Sequence, residues 1–424
     1  MYSIAGRPIR LVTGHEHICI GYAHKMAIGQ GDYLARCAGK KPMAEKRYRV
    51  LLITGGQTHQ ETYALAFAAD PRAQLVGVAD EADISARRRS LNVQLAKQLN
   101  IPYFPDIHKA LELEEVNVVS ICAEPERRGR IAIRCAQAGK HLYLDKSLCP
   151  RLEEADNLVS AVQQAGVKSH MYTFMTQPWL QRLRAVVQSG LLGEIRAIHA
   201  DCFFAKGHPG TARPSRRSEE FPPERHQLIE AKRELDNVGV YPLAHIHWLT
   251  GKKYKQVWAC TANCFFREHQ KQNIEDFGLV RAELESGITV TVAAGRYGWT
   301  THPGTGMHRY IVVGTRGTYI ADAWRPRLEI YTTESPWTPP PAYPDDPMAF
   351  WQSTMEITHA RPKNTWWPLE PVVERDVAYF LDCLDVGRDS EISVREAAHI
   401  AEVLLAAYKS ATIGQAVLLP LPRQ

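Results

Sequence analysis

Short apolar runs alternate with longer amphipathic segments between residues 48 and 166. The apolar runs are continuous, which indicates strands buried on both faces, and they lie at 49–54, 73–80, 116–124 and 141–145. The segments between them have helical composition and lie at 62–70, 84–100, 127–140 and 151–166. Buried strands that alternate with helices form parallel sheets with right-handed crossovers. The pattern therefore predicts a doubly wound, nucleotide-binding domain.

The pattern changes after about residue 195, where longer strands follow one another. Hairpin turns are predicted at ESGIT (285–289) and TRGTY (315–319), and strands without intervening helices favour an open, mainly antiparallel sheet. Two helices, at 237–251 and 394–414, complete this part. The fold class is thus α/β, with a doubly wound parallel sheet followed by a C-terminal α+β domain. We place the boundaries at 1–47 for an N-terminal extension, 48–167 for the first domain and 168–424 for the second.

Composition limits the classes of partner. The chain has 424 residues, and its 51 basic and 46 acidic side chains are interspersed, with a net charge of +5. That balance predicts no nucleic-acid or membrane partner. No apolar run reaches the roughly 20 residues of a membrane helix, and the N-terminus lacks the features of a signal peptide. Nine cysteines form no CxxC pair, which favours a reducing compartment, and we expect a cytoplasmic protein.

The extension contains alternating residues that zinc can use. His15, His17 and Cys19 would lie on one side of a strand, and imidazole and thiolate are zinc ligands. A closed site needs a fourth ordered ligand, so the expectation is a polar arm and no metal.

The loop after the first strand is a candidate pyrophosphate site. Its sequence, ITGGQTH, aligns with GxGxxG so that only the central glycine, Gly56, remains, and Thr54 and His59 replace the other two. Gly55 and Thr58 complete the candidate loop. An ordinary strand–helix turn is the alternative.

Asp80 ends the second strand and is a candidate for binding the adenosine ribose. A carboxylate there can accept hydrogen bonds from both ribose hydroxyls of NAD, and it would repel the 2′-phosphate of NADP. Arg87, Arg88 and Arg89 could offset that repulsion, although a solvated helix face is the simpler interpretation. NAD is therefore favoured as cofactor, with NADP possible.

Lys146 follows the strand at 141–145, at the carboxyl end of a parallel strand. Ligands bind at this edge of such sheets, and an ammonium there can donate to a hydroxyl or, with a lowered pKa, act as a base. The alternative is a lysine that extends into solvent from a strand end.

The segment AGKHLYLDKSLC (138–149) resembles AGKHVLCEKP of the Gfo/Idh/MocA family, the glucose–fructose oxidoreductase and inositol dehydrogenase group. Further segments in the same order are similar to the family's domain entry, active-site helix, sheet and C-terminus: SGLLGEIRAIHAD (189–201), NVGVYPLAHIHWLTG (237–251), FGLVRAELESGITVTV (277–292), YIVVGTRGTYIAD (310–322) and AAYKSATIGQAVLLPL (406–421). The resemblance implies a Rossmann domain, then an α+β domain for substrate and oligomerisation. It also implies NAD(P)-dependent oxidation or reduction of a sugar-like hydroxyl or ketone.

The resemblance assigns roles to particular residues. Lys146 occupies the position of the catalytic lysine, and the D-x-G-x-H pattern falls on Asn237, Gly239 and Tyr241. Asn237 can bind substrate but cannot take a proton. Asp236 cannot replace it, because adjacent helix residues point about 100° apart. His245, one turn after Tyr241, is a candidate proton carrier or a packing residue.

Two departures from the family pattern concern the cofactor. The acid–Lys–Pro motif is Asp145–Lys146–Ser147, which keeps the charges and loses the proline. The TPNxxH turn is AEPERR (123–128), in which Glu124 could meet the nicotinamide ribose or repel the pyrophosphate.

The sequence predicts an NAD-dependent oxidoreductase that acts on a sugar, cyclic polyol or sugar derivative. Substrate contacts are expected from the loops at 203–234 and 296–308, through Lys206, His208, Arg213, Tyr297, His302 and His308. A homodimer or homotetramer through the open sheet is implied by the resemblance. Two alternatives remain: tightly bound NAD used transiently for glycoside elimination or hydrolysis, and a non-catalytic sugar- or nucleotide-sensing member.

Overall fold

The computed structural model describes most of the chain from Arg47 onward. The described ranges are 47–56, 58–205, 232–297, 306–322, 327–332, 365–366 and 372–423. The extension, with His15, His17 and Cys19, lies outside them, as do Lys206, His208, Arg213 and His302 and the side chain of Tyr297. Within these ranges no helix is long and apolar enough to cross a bilayer.

The first sheet has six parallel strands, which confirms the doubly wound prediction. Its order is β3-β2-β1-β4-β5-β6, and the strands are β1 (Tyr48–Ile53), β2 (Ala73–Ala79), β3 (Tyr103–Phe104), β4 (Val118–Ile121), β5 (His141–Leu144) and β6 (Ser169–Met171). The helices that cross between them are α1 (Gln60–Ala69), α2 (Ala86–Leu99), α3 (Ile107–Leu111), α4 (Pro125–Gln137) and α5 (Leu152–Ala165). Because β6 belongs to this sheet, the sheet extends past the boundary placed at 167.

Capping residues set the limits of these helices. Ser85 precedes α2 and its side chain accepts a hydrogen bond from the Arg88 N–H, and Asp106 accepts from the His108 N–H before α3. Gly166 follows α5 in the left-handed conformation, which glycine adopts at little cost.

The second sheet has nine strands within the described residues and is mainly antiparallel, as predicted. Its order is β14-β13-β12-β11-β7-β10-β9-β8-β15, and only β7 and β10 pair in parallel among the recorded pairs. The strands are β7 (Ile195–Ala205), β8 (Tyr254–Ala262), β9 (Phe277–Leu284), β10 (Thr289–Tyr297), β11 (Gly306–Gly314), β12 (Gly317–Asp322), β13 (Arg327–Thr332), β14 (Thr365–Trp366) and β15 (Val417–Leu418). Inward and outward positions alternate along β9, so one face packs on the core and the other remains open.

The remaining helices are α6 (Pro178–Gln188), α7 (Glu234–Thr250), α8 (Arg267–Gln272), α9 (Val372–Asp385) and α10 (Val394–Ile413). Of these, α7 and α10 cover the inner face of the second sheet. The helix α7 packs on β10 and β7, and α10 packs on β8 and α5, which joins the two domains in one unit from Lys46 to Gln424. These contacts bring the start of α7 to the carboxyl end of β5.

The sequence analysis did not predict α9, which returns to the first domain. This helix packs on α1, and its Val377, Phe380 and Leu381 enter the core around Tyr143. Apolar residues at helical spacing were available as a signal, but they follow a long proline-rich stretch that suggested only a surface loop.

A buried polar cluster fastens α9 to the first sheet. The His170 ring lies 2.8 Å from Asp376 and 2.7 Å from Ser390, and the Tyr143 hydroxyl donates to Asp376 at 2.7 Å. His170 and Asp376 are completely buried among aromatic rings. Because a substrate cannot reach this Ser–His–Asp arrangement, we assign it to packing.

Candidate active site

Lys146 lies just after β5 and points at the first turns of α7. Its Nζ donates to the Asn237 backbone carbonyl at 2.7 Å and to Asn237 Oδ1 at 2.5 Å. The side chain is 6% exposed, and this burial lowers the pKa of Lys146 to about 8, against the opposing charge of Asp145. At neutral pH the amine is thus mostly protonated, with a minor fraction in the neutral form.

The Asn237 amide has one orientation. Its Nδ2 donates to Glu234 Oε2 at 2.8 Å, and Arg296 Nε donates to the same oxygen at 2.9 Å. With the amino group held by Glu234, the amide oxygen faces Lys146. Glu234 and Arg296 therefore orient the Asn237 amide, and neither was predicted from the sequence. Arg296 is far from Glu234 in sequence, whereas Glu234 lies only three residues before Asn237.

The residues beside Lys146 are fixed as well. Ser147, which replaces the family proline, donates to Asp236 Oδ2 at 2.5 Å, and Arg128 donates to the Ser147 carbonyl. Burial raises the pKa of Asp236. Asp236 thus contacts Ser147 and not the ammonium, as expected from the 100° between adjacent helix residues.

Asp145 joins Lys146 to the start of α1. One oxygen accepts from the Tyr63 hydroxyl at 2.8 Å and lies 2.9 Å from His59 Nδ1, and Arg128 approaches the other at 3.4 Å. Burial alone would raise the pKa of Asp145, but His59, Arg128 and Lys146 hold it well below its usual range. The side chain of His59 is about half exposed, 49%, and His59 directly precedes α1.

Tyr241 lies one helical turn after Asn237 and flanks the lysine. The Lys146 Nζ is 5.2 Å from the centre of the Tyr241 ring, a distance compatible with cation–π attraction. Burial, followed by the charge of Asp145, raises the pKa of the phenol well above its usual value. Tyr241 therefore retains its proton at neutral pH and can donate a hydrogen bond.

His245 faces the core and not the cleft. It is completely buried, its Nε2 donates to the Thr173 carbonyl, and its Nδ1 lies 2.7 Å from the Tyr310 hydroxyl. Burial lowers the pKa of His245 to about 4. His308 stacks on it at 5.6 Å and is 3% exposed. Both rings are engaged in packing, so we exclude them from the proposed chemistry.

The two glycines of the loop after β1 are in close contact with α2. Gly56 has φ +79°, and a Cβ there would come 2.8 Å from the Leu91 carbonyl oxygen and Cβ. A Cβ at Gly55 would lie 2.0 Å from Leu95 Cδ2. The two glycines therefore admit α2, which packs against the loop. Thr58 supports the start of α1, since its Oγ1 accepts from the Gln60 N–H at 3.1 Å.

Asp80 lies at the end of β2, as predicted, and is completely buried. Its Oδ2 accepts from Thr54 Oγ1 at 2.9 Å and from Asn92 Nδ2 at 2.7 Å. Its Oδ1 accepts from the Glu81 N–H at 2.8 Å and from Arg127 Nη1 at 2.7 Å. All four accepting positions of the carboxylate are thus occupied by groups of the chain itself.

Arginines fill the space between Asp80 and Glu124. Arg88 is buried, contrary to the solvated face expected for it, and its Nη1 donates to the Gly55 and Gly56 carbonyls at 2.6 and 2.9 Å. Its Nε donates to Glu124 at 3.1 Å. Burial opposes the ionisation of Glu124, but Arg127 and Arg88 lower its pKa to about 2. Arg87 and Arg89 are exposed, as expected.

The fit to a dinucleotide therefore differs between the two ends of the site. At one end, Lys146 contacts Asn237 and the Tyr241 ring, and these donors suit a nicotinamide and a hydroxyl-bearing substrate. At the adenosine end, Asp80 has no accepting position left for a ribose hydroxyl in this arrangement. Arg127 occupies that position, and the sequence did not reveal it because Asp80, Glu81 and Thr54 come from two other segments.

Two family models match the chain. Residues 48–173 match the family model described as an oxidoreductase family with an NAD-binding Rossmann fold, and residues 180–320 match the GFO/IDH/MocA C-terminal domain. Together the two models cover more than half of the chain. The first domain is therefore an NAD-binding Rossmann domain by family.

Curated relatives share limited identity with the chain. The myo-inositol 2-dehydrogenase of Thermotoga maritima is 22% identical over 237 residues, which are 54% of this chain and 64% of that protein. The inositol 2-dehydrogenase of Salmonella typhimurium is 22% identical over 47% of this chain and 54% of its own length. The chain thus matches less than two thirds of the length of these relatives.

Solved structures show the same fold over most of the chain. A levoglucosan dehydrogenase in complex with NADH and levoglucosan has a TM-score of 0.69 at 17% identity, covering 88% of this chain and 100% of that one. The UDP-N-acetylglucosamine 3-dehydrogenase of Acidithiobacillus ferrooxidans has a TM-score of 0.65 at 20% identity, covering 86% and 97%.

Proposed function

The chain belongs to the Gfo/Idh/MocA oxidoreductase family, and from that premise we propose that it is an NAD-dependent dehydrogenase of a sugar, cyclic polyol or sugar derivative. The relatives support this class, because they include dehydrogenases named for inositol, levoglucosan and a sugar nucleotide. The observation that carries the proposal is the buried Lys146, with its pKa lowered to about 8 beside Asn237 and Tyr241.

Lys146 is the proposed acid–base group. The nicotinamide, when bound, supplies the hydride acceptor or donor. An amine with a pKa near 8 can accept the hydroxyl proton during oxidation and return it during reduction. Two N–H groups of the ammonium donate to Asn237. The third N–H is proposed to donate to the reacting oxygen.

Tyr241 and Asn237 are proposed to position the substrate oxygen. The phenol of Tyr241 remains protonated and donates, so it can stabilise developing negative charge on the reacting oxygen. Asn237 sets the direction of the lysine and cannot itself transfer a proton. His59, Asp145 and the Gly55–Gly56 loop are proposed for the pyrophosphate side, and Asp80 and Glu124 for the ribose side.

The test combines binding with turnover. NAD and NADP would be titrated by calorimetry, and NADH absorbance would follow turnover with myo-inositol, levoglucosan, UDP-N-acetylglucosamine and a wider polyol panel. Lys146→Met should lower kcat at least 100-fold and leave the NAD dissociation constant within a few-fold. Unchanged turnover in Lys146→Met would remove the lysine from the mechanism.

The matched control is Lys140→Met. Lys140 is a lysine of the same β5 region whose Nζ donates to the Val116 carbonyl at 2.7 Å, away from Asn237. Its replacement should leave turnover unchanged once folding is verified. If neither nucleotide binds to the wild-type protein or to any variant, the dehydrogenase proposal is wrong.

A non-catalytic sugar- or nucleotide-sensing member is the second candidate. It is favoured by the occupied Asp80, because a protein without a need for hydride transfer has no need of an open ribose site. Binding of a sugar without turnover in the presence of NAD would support it. Tightly held NAD used in a non-redox reaction would instead give product without added NAD.

We also propose a homo-oligomer through the open face of the second sheet. Trp258 and Leu279 are 40% and 41% exposed on that face, and Phe203 stacks on Phe277 at 5.7 Å. Large apolar side chains grouped on an exposed sheet face are typical of an interface. The proposed location is the cytoplasm, which five buried free thiols support, at Cys122, Cys135, Cys149, Cys202 and Cys383.

A further inference from the structure

We propose that Arg127 closes the adenosine-ribose subsite and sets the affinity of this chain for NAD. The inference rests on the proposed function, since it assumes that NAD is the natural ligand of the first domain. It concerns a side chain of α4 that takes the place of the ribose diol at Asp80.

Groups of the chain itself occupy every accepting position of Asp80. A carboxylate offers four accepting positions, and Thr54, Asn92, the Glu81 N–H and Arg127 fill them at 2.7–2.9 Å. Ribose hydroxyls bind to such a carboxylate by donating to it. Of the four donors, only Arg127 is a long side chain from another segment that can leave without unfolding β2 or α2.

The N–H groups of Arg127 are likewise engaged in hydrogen bonds within the chain. Its Nη1 donates to Asp80 at 2.7 Å and to Glu81 at 3.0 Å, and its Nε and Nη2 donate to Glu124 at 3.0 and 2.6 Å. The remaining Nη2 contact is Thr54 Oγ1 at 3.4 Å. A guanidinium has five N–H donors, so it has little capacity left to hold a ribose or a 2′-phosphate where it stands.

The negative charges of Asp80 and Glu81 are also compensated by arginines. Arg127 compensates the charge of Asp80, and Arg130 and Arg134 compensate Glu81 from the outer side at 2.7 and 3.7 Å. An exposed Asp80 would repel a 2′-phosphate, whereas a compensated Asp80 does so weakly. The wild-type protein should therefore bind NAD weakly and distinguish it little from NADP.

Removing the guanidinium should reverse both properties. Arg127→Ala leaves Asp80 with its three other donors and one accepting position turned toward the vacated space. A hydrogen bond between a ribose hydroxyl and this charged group should tighten NAD binding roughly 10- to 100-fold. NADP should gain little, because its 2′-phosphate would meet a carboxylate that Arg127 no longer compensates.

The experiment measures dissociation constants of NAD and NADP by calorimetry for five proteins. These are the wild type, Arg127→Ala, Arg127→Gln, Arg130→Ala and the double variant Arg127→Ala/Asp80→Asn. Arg130→Ala removes an equal charge from the same helix without touching Asp80, and its constants should stay within a few-fold of wild type. Arg127→Gln retains a polar side chain that cannot bridge three carboxylates. It replaces Arg127→Ala in the comparison if circular dichroism shows that Arg127→Ala does not fold.

Four outcomes decide the inference. Tighter NAD binding and an increased NAD preference in Arg127→Ala or Arg127→Gln, both lost in the double variant, would support it. Weaker or unchanged NAD binding in the single variants would overturn it while leaving the proposed function intact. A gain that persists without the Asp80 carboxylate would also overturn it, because Arg127 would then act by bulk alone. Absence of nucleotide binding in every variant would overturn the proposed function and this inference with it.

Discussion

The buried Lys146 ties the stability of the fold to pH, and Lys146→Met removes that dependence while retaining a long unbranched side chain. In the folded protein the pKa of Lys146 is about 8, and in the unfolded chain it returns to 10.5. Between these values the unfolded chain binds a proton that the folded protein lacks. The contribution of Lys146 to the free energy of unfolding therefore rises with pH across this interval and is lowest below pH 8.

The magnitude follows from the two pKa values. Their difference of about 2.5, at about 1.4 kcal/mol for each pKa unit, gives about 3 kcal/mol over the whole interval. Integration from pH 7 to pH 9.5 gives about 2 kcal/mol of this total. We expect the wild type to gain that much stability relative to Lys146→Met over this range, whatever the variant costs in direct contacts.

The assay is urea unfolding of both proteins at half-unit pH steps, monitored by tryptophan fluorescence. Subtracting the two curves cancels the titrations that both proteins share. If the difference in unfolding free energy stays constant within about 0.5 kcal/mol from pH 7 to pH 9.5, Lys146 does not have a lowered pKa in the folded protein. The acid–base role proposed for it would then lose its basis.

Three further predictions concern activity, stability and assembly. Asp145→Asn removes the charge that opposes the lowering of the Lys146 pKa, so the pH at which oxidation reaches half its maximal rate should fall by roughly one unit; a shift to higher pH would contradict this. Arg72→Ala breaks ion pairs with three aspartates, two of them on α9, and should cost about 1–2 kcal/mol in urea unfolding. The exposed pair removed by Arg196→Ala should cost less than about 0.5 kcal/mol, and equal costs would refute the argument from burial. Trp258→Glu should reduce the mass measured by analytical ultracentrifugation to that of a monomer, and an unchanged oligomer would place the interface elsewhere.

The overall fold could be predicted from the sequence because its signals are local. Continuous apolar runs separated by amphipathic segments gave β1, β2, β4 and β5 within three residues at each end, and the two hairpin turns gave β9–β10 and β11–β12. Burial on both faces requires such runs, so the pattern and the parallel sheet have the same cause. The helix α9 was not predicted, because the residues of the first domain that it packs against, including Tyr143, lie more than 200 residues away in sequence.

The candidate site divides in the same way. The sequence determined that Lys146 follows a buried parallel strand, since that position depends on the chain's own hydrophobic pattern, and the order of similar segments indicated its partners on α7. Only the tertiary structure decided what each polar group contacts. It turned His245 into the core, joined Asn237 to Glu234 and Arg296, and buried Arg88.

Asp80 shows most clearly what could not be predicted from the sequence alone. Its place at the end of β2 follows from the strand pattern, but its availability depends on Thr54, Asn92 and Arg127, which come from three other segments. A carboxylate has a fixed number of accepting positions, and packing determines which donors reach them first. The sequence by itself placed the carboxylate where a ribose would bind, and the folded chain placed a guanidinium in front of it.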